Sequence, residues 1–419
     1  MMDGPPAFHT EALSPGSRAA AVKTRAAELG FAPVGIATAE PFADDERQML
    51  AWLADGYQAG MAWMTPERAA LACHPDDLLP GARSLIVVGA PYAGADPQPE
   101  DGSPAGPRGA VARYARGQDY HDVLKARLHE LAAFVRSVGS GDADGIGDSA
   151  DTATKTRVFV DAGPLPERAA AVRAGLGFIG KNTNLLTAPV GSWLLLGAIL
   201  TDLDLLADPP TVRDCGTCRL CLDACPTDAF PEPFVLDANR CISYLTIEHR
   251  GPIPRNLRSQ LGDHLFGCDD CQSVCPWNRR DRGPGWPEFG GPIDMARPQL
   301  ADILALDDAS FRERYRRTPV WRTKRRGLLR NAAVALGNTG SKADLPALVT
   351  ALSDPEPLVR GHSAWAIGHI SGAGAAAHLK AARTGEGDAW VLEEIELALA
   401  TVDGTLPPPA AAADSRISP

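Results

Sequence analysis

Two blocks of cysteine constrain this chain more than any other feature. The first reads Cys215-x2-Cys218-x2-Cys221-x3-Cys225-Pro226, and the second is Cys241 followed by Cys268-x2-Cys271-x3-Cys275-Pro276. A 4Fe–4S cubane needs four thiolates around one small volume, and x2 spacings let a tight loop turn three of them inward. In a run of this kind the fourth Cys, placed before Pro, serves the other cluster. That crossover assigns Cys215, Cys218, Cys221 and Cys275 to one cluster and Cys225, Cys241, Cys268 and Cys271 to a second, with no ligand left over. Cys-x2-Cys pairs also build zinc knuckles, the main structural alternative. A zinc site, however, calls for neither a third Cys after x2 nor a fourth after x3 with a near copy behind it. Cys73 stands outside the pattern and reads as a plain thiol. Around the cysteines, residues 208–290 are dominated by Cys, Pro and Gly, so bound metal is expected to help hold them together.

The rest of the chain must supply what a cluster segment lacks. A length of 419 residues calls for two to four domains. Residues 1–17 form a flexible arm with Asp3, several prolines and no apolar stretch of the sort an export signal needs. A cytoplasmic location is therefore expected, where clustered thiols mean metal or redox chemistry rather than disulfides. No membrane association is expected either, because the apolar run 188–200 is too short to span a bilayer. Four β-rich runs, 31–37, 84–90, 157–160 and 193–200, alternate with helical patterns at 18–29, 44–57, 120–138 and 166–176. Gly30 and Gly177 occupy C-cap positions after the first and last of these helices. Such alternation argues for an α/β or α+β domain over 18–205, interrupted by Gly-rich surface loops at 94–109 and 139–154.

Near the end, Ala333-Val-Ala-Leu-Gly337 recurs as Ala364-Trp-Ala-Ile-Gly368, with a fainter echo at Leu397-Ala-Leu-Ala400. Paired helices at this period indicate a HEAT-like solenoid, with an Ala-rich bundle as the alternative. The expected architecture is multidomain α+β: the α/β domain, a ferredoxin-like two-cluster domain over 206–290, and a basic linker with HEAT-like helices over 291–404. A disordered tail over 405–419 completes it.

Charge is distributed unevenly. The whole chain carries −11, yet between Arg312 and Arg330 nine basic side chains face Glu313 alone. Such a stretch is either a docking site for a polyanion or a solvated face paired with acids elsewhere. Two clusters in series pass single electrons but do not perform difficult organic chemistry, so the α/β domain is the expected holder of the reactive centre. Gly175-Leu-Gly-Phe-Ile-Gly180 matches a dinucleotide fingerprint by letter, but it follows a helical pattern rather than a strand. A nicotinamide or Rossmann-bound flavin is therefore unsupported.

Several blocks in fixed order identify a resemblance: Ala112-Arg-Tyr-Ala-Arg-Gly-Gln-Asp-Tyr-His121, Val160-Asp-Ala-Gly-Pro-Leu-Pro-Glu-Arg168, Gly175-Leu-Gly-Phe-Ile-Gly-Lys-Asn182, Arg240-Cys-Ile-Ser-Tyr-Leu245 and Arg325-Arg-Gly-Leu-Leu-Arg-Asn331. With both cysteine blocks they resemble the cobalamin-dependent epoxyqueuosine reductases, relatives of reductive dehalogenases. That resemblance implies reduction of an epoxide on a tRNA wobble base to an alkene, the last step of queuosine biosynthesis. It also implies two 4Fe–4S clusters and base-off cobalamin. Asp161 matches the family's proton donor, for which a buried carboxyl of raised pKa is expected. As an isolated residue it would read as a helix cap. The family's cobalamin contacts fall on Asp161, Asn182, Leu185, Leu196, Ser243, Cys268 and Asp269. For Leu185 and Leu196 the plain alternative is core.

Asp119-Tyr-His121 lacks the Gly that would continue a His-ligated corrinoid loop, Leu124 standing there instead, so His121 reads as a helix-face histidine. Where the family commonly carries an Arg before Asp-Pro, this chain has Ala72-Cys-His-Pro75 with Arg68 further back, leaving that position unassigned. The basic residues Arg322, Lys324, Arg325 and Arg326 suit the phosphates of an anticodon stem-loop. A small electron-donor protein or reductant and a monomeric state complete the expectation. Two alternatives remain: a cobalamin-dependent reductase of a small halogenated or epoxide substrate, and an electron-carrying adaptor whose repeats dock a protein.

Overall fold

The computed structural model describes residues 13–94, 97, 106–140, 153–279, 285–370 and 374–405. All four apolar runs become strands of one sheet, in the order Val34–Thr38, Ser84–Pro91, Leu194–Thr201, Thr156–Phe159. Every pairing within this sheet is antiparallel, which settles the α/β or α+β alternative as α+β. The interior strand Ser84–Pro91 is buried along nearly its whole length because both faces are covered. Ile86, Val88 and Ala90 meet helices Pro15–Glu28 and Tyr120–Ser140 through Val22, Ala26, Leu124 and Leu128. Leu85 and Val87 face the opposite cluster, with Cys73, Ala170 and Ala174. The two-residue side-chain period of a strand thus feeds two separate cores.

Boundaries shifted where cap chemistry outranked periodicity. Ser14 caps the first helix and Pro15 opens it, so the helix reaches into the expected arm. Helix Glu167–Arg173 stops earlier than expected. Gly175, at φ +75°, takes the left-handed position after it, not Gly177. Gly177 serves a close approach instead, since a Cβ there would sit 2.1 Å from the Leu186 carbonyl oxygen. Most of the loops expected at 94–109 and 139–154, residues 1–12 of the arm and 406–419 of the tail lie outside the described residues.

The C-terminal repeat is a row of helices, Lys324–Thr339, Pro357–Ile370 and Ala389–Val402, alternating with the shorter Leu345–Ala351 and Ala375–Gly385. The recurring small residues are the contact points between neighbours. A Cβ on Gly337 would lie 2.7 Å from Trp365, and one on Gly368 would lie 2.9 Å from Ala398. The cluster segment has more apolar material than its composition promised. Ile242, Leu245, Leu257, Leu265 and Phe266, all between Cys241 and Cys268, join one continuous core with Leu328, Ala332 and Leu336 of the first repeat helix. Packing therefore runs unbroken across residue 290. A buried polar knot reinforces it: Arg330 donates to the carbonyls of Leu245 (2.7 Å), His249 (2.8 Å) and Gly251 (2.9 Å). Asn331 beside it donates to those of Thr246 and Leu265. No helix among the described residues is long and apolar enough to cross a membrane.

Candidate functional site

The eight block cysteines divide into two sets by their nearest charged neighbours. Burial, then the charges of Cys215, Cys275 and Cys218, pushes the Cys221 thiol up to about 11. Burial and then Cys215 and Cys218 likewise raise Cys275, although it belongs to the second block in sequence. In the other set burial leads again: Cys241 is pushed up to about 11 with Cys268 and Cys225 as like-charged neighbours, and Cys271 is raised by Cys268, Cys241 and Cys225. Four thiols pressed together in this way ionise only against a compensating cationic centre, which is what an iron–sulfur core provides. Cys271 is also raised by Cys221, so the two sets adjoin.

Local contacts brace both sets. Lys181 donates to the carbonyls of Gly216 (2.7 Å) and Cys218 (2.8 Å), clamping the first loop. The buried Asn182 donates to the Cys271 carbonyl at 3.2 Å. The Asp269 carboxylate accepts from the Arg113 amide at 2.8 Å. Ser243 lies in the first turn of helix Ile242–Ile247, directly after Cys241. Leu185 pairs with Ile179 in a two-stranded ribbon and packs in the sheet core, and Leu196 lies opposite Gly89 in the sheet. His264, Cys268 and Asp270 offer ligand atoms within 4.8 Å of one another. Cys268 is one of the eight, however, and His264 is already held by Leu261 and Asp270.

Asp161 sits where the chain leaves strand Thr156–Phe159, in the left-handed region at φ +53°. Its amide donates to Glu167 Oε1 at 2.7 Å, which fixes that unfavourable conformation. Its carboxylate accepts from the Tyr120 hydroxyl and lies 3.4 Å from His121 Nε2. The other imidazole nitrogen, Nδ1, is 2.8 Å from Asp119. An imidazole facing carboxylates at both nitrogens is held as imidazolium. Burial opposes the charge, but the bonds to Asp119 and Asp161 outweigh it and lift His121 to about 9. The hydrogen bond from His121, joined by that from Tyr120, outweighs the opposing effect of burial and holds Asp161 below the usual carboxylate range. Glu167 moves the other way: burial, then the Asp161 charge, raises it to about 8. The expected raised pKa is therefore found on the neighbour, not on Asp161. His121 is a member of the site, not a plain helix-face residue. The sequence placed Asp119, Tyr120, His121 and Glu167 inside diagnostic blocks but did not show that a turn of the chain would bring them together.

The basic stretch abuts these acids. The Asp119 amide donates to the Arg317 carbonyl at 2.9 Å, and Arg322, hydrogen-bonded to Glu248 at 2.8 and 3.1 Å, has Asp161 and Tyr120 among its charged neighbours. Lys324 and Arg326 are exposed, with the Lys324 ammonium 4.8 Å from the Trp321 ring centre. Arg312, Arg316 and Arg317 line an adjoining groove. Arg325 departs from the expectation. Its side chain is 12% exposed and holds Asp354 and the Leu306 carbonyl, so it is a tie within the repeat domain rather than a surface charge.

Comparison with known proteins follows the same lines. An epoxyqueuosine reductase QueG family model matches residues 73–162, a 4Fe-4S double cluster binding domain matches 214–278, and HEAT repeats match 324–400. The epoxyqueuosine reductase of Xanthomonas campestris pv. campestris is 41% identical over 84% of this chain and 96% of its own length. That of Escherichia coli K12 is 36% identical over 85% and 91%. Among solved structures, an epoxyqueuosine reductase with an epoxyqueuosine-modified tRNA-Tyr stem loop superposes with a TM-score of 0.81. It is 32% identical and covers 92% of this chain and 98% of that one. The Bacillus subtilis enzyme, captured with its catalytic loop swung out of the active site, superposes at 0.80 with 32% identity over 91% and 98%.

Proposed function

This chain belongs to the epoxyqueuosine reductase family, and on that premise we propose that it reduces epoxyqueuosine to queuosine in tRNA. One observation carries the reading. The Asp161 carboxylate, with proton-bearing partners on two sides, opens beside a basic surface, so a phosphate-rich substrate and an acid meet at one place. Removing an epoxide oxygen as water, leaving an alkene, takes two electrons and two protons. In this reading the eight cysteines would hold two 4Fe–4S clusters, able to supply electrons singly, in the sets Cys215, Cys218, Cys221, Cys275 and Cys225, Cys241, Cys268, Cys271.

We assign cobalamin to the space bounded by Asp161, Asn182, Ser243, Cys268 and Asp269, with Leu185 and Leu196 in the adjoining core. The donor set supports that assignment. Amide, hydroxyl and carboxylate groups suit the amide-rimmed edge of a corrin, and the partly buried Tyr114 has both Asp161 and Asp269 as charged neighbours. When bound, cobalamin would supply a strongly reducing cobalt centre for the carbon–oxygen bond.

The chain's own residues manage the protons. Tyr120 and His121 orient the Asp161 carboxylate, and Glu167 fixes its backbone. Asp161, ionised at rest, takes a proton from His121, whose second nitrogen is held by Asp119, and passes it to the departing oxygen. Arg322, Lys324, Arg326, Arg312, Arg316 and Arg317 form the footprint for the anticodon stem-loop, without Arg325. A cytoplasmic monomer fed by a small electron-donor protein, with domains at 18–205, 206–290 and 291–404, completes the proposal. The test is anaerobic turnover of an epoxyqueuosine-bearing stem-loop by the protein reconstituted with iron, sulfide and cobalamin. Wild type should form queuosine, and Asp161→Ala should lose at least about 100-fold in rate. An Asp161→Ala variant of full activity removes the proton role, and a wild type inert towards the stem-loop removes the function.

A further inference from the structure

Most large aromatic side chains here are buried in a core or paired with another ring, but Trp63 is 47% exposed. Its surroundings are fixed. Thr65 caps helix Pro66–Cys73 by accepting from the Arg68 amide at 3.2 Å, which locks Arg68 in the first turn. The Arg68 guanidinium then lies 5.2 Å from the Trp63 ring centre and donates to the Ala162 carbonyl at 3.2 Å. Ala162 directly follows Asp161. On the other side, Gly60 donates to the Tyr244 hydroxyl at 2.8 Å, which ties the segment to the helix that carries Ser243. An exposed indole is thus held between the acid loop and the cluster segment, with a cation against its ring, by contacts on both flanks.

We propose that Trp63, backed by Arg68, is a stacking platform for an unpaired base next to the modified nucleotide. The proposal rests on the tRNA reading above and adds a subsite to it. A base reduced at the Asp161 site must leave its stack, so its neighbour in the loop loses a stacking partner. Single-stranded bases regain that partner on aromatic faces and arginine planes, and such stacking does not depend on which base is offered. Arg68 adds a charge within reach of the adjoining phosphate.

The experiment measures equilibrium binding of the anticodon stem-loop to the anaerobic holoprotein by fluorescence anisotropy. It compares wild type, Trp63→Ala and Trp63→Tyr, each with intact RNA and with RNA made abasic at one nucleotide flanking the target. Cluster absorbance provides the folding control. Trp63→Ala should bind about tenfold more weakly, while Trp63→Tyr should stay within about threefold of wild type. One of the two abasic RNAs should weaken wild type by a similar factor and cost Trp63→Ala nothing further. Trp63→Ala binding at wild-type strength, or an abasic loss that persists undiminished in that variant, overturns the platform and leaves the function standing. A wild type that does not bind the stem-loop overturns both.

Discussion

Replacing His121 by Gln separates the proton source from the scaffold, because the amide keeps a hydrogen-bonding group near Asp161 and Asp119 but carries no charge. Moving an imidazole from 6.5 to about 9 corresponds to about 3 kcal/mol of preference for the charged ring. Its side chain is 29% exposed, so solvent screens little of that. Because the folded-state value lies above the unfolded one, the stabilisation is complete below pH 6.5 and disappears as pH rises through about 9. Activity should follow the same proton. Single-turnover reduction of the stem-loop by wild type should fall away above about pH 9, and His121→Gln should be slower by about 100-fold or more near pH 7. Glu167, at about 8, is the competing source of an alkaline limb, and Glu167→Gln distinguishes the two. That variant still offers an oxygen to the Asp161 amide, so the limb near 9 should survive in it. A His121→Gln enzyme with wild-type rate and an unchanged alkaline limb would refute the relay. A limb abolished by Glu167→Gln alone would place the proton on the other carboxyl.

Three further outcomes are expected. Cys275→Ala, although in the second block, should remove the cluster held by Cys215, Cys218 and Cys221 and leave about four irons; loss of the same cluster as in Cys268→Ala would break the crossover. Arg330→Met strips donors from three backbone carbonyls and should cost about 2–4 kcal/mol, even after relief of a buried charge. Denaturant melts should show this together with faster amide exchange in helix Ile242–Ile247, and a change below about 0.5 kcal/mol would sink the account of the knot. Arg326→Glu should weaken stem-loop binding and lower the salt dependence by about one charge or more, whereas Arg325→Ala should register mainly as lost stability. Equal effects of the two on the salt slope would contradict the division between surface and structural arginines.

Much of this molecule is local and therefore legible in one dimension. Ligand spacing within a block is a local matter, because x2 and x3 loops have little freedom in where they send their thiols, whereas the proposed crossover of Cys275 to the first set joins distant residues. The strands and the repeat glycines are local too, since burial on both faces leaves an unbroken apolar run and close helix contact leaves small residues. What needed three dimensions were properties of meeting. Nothing within Val160-Asp-Ala-Gly-Pro-Leu-Pro-Glu-Arg168 announces that Tyr120 and His121, some forty residues away, will share the Asp161 carboxylate. Protonation depends on that company, so the raised pKa assigned to Asp161 moved to Glu167 and His121. Arg325 and Arg326 look alike as neighbours in sequence, yet the fold turns one onto Asp354 and the other to solvent. Covalent spacing limits which thiols of one block can converge. The electric field at a site is a sum over groups brought from distant parts of the chain, and only the folded arrangement specifies that sum.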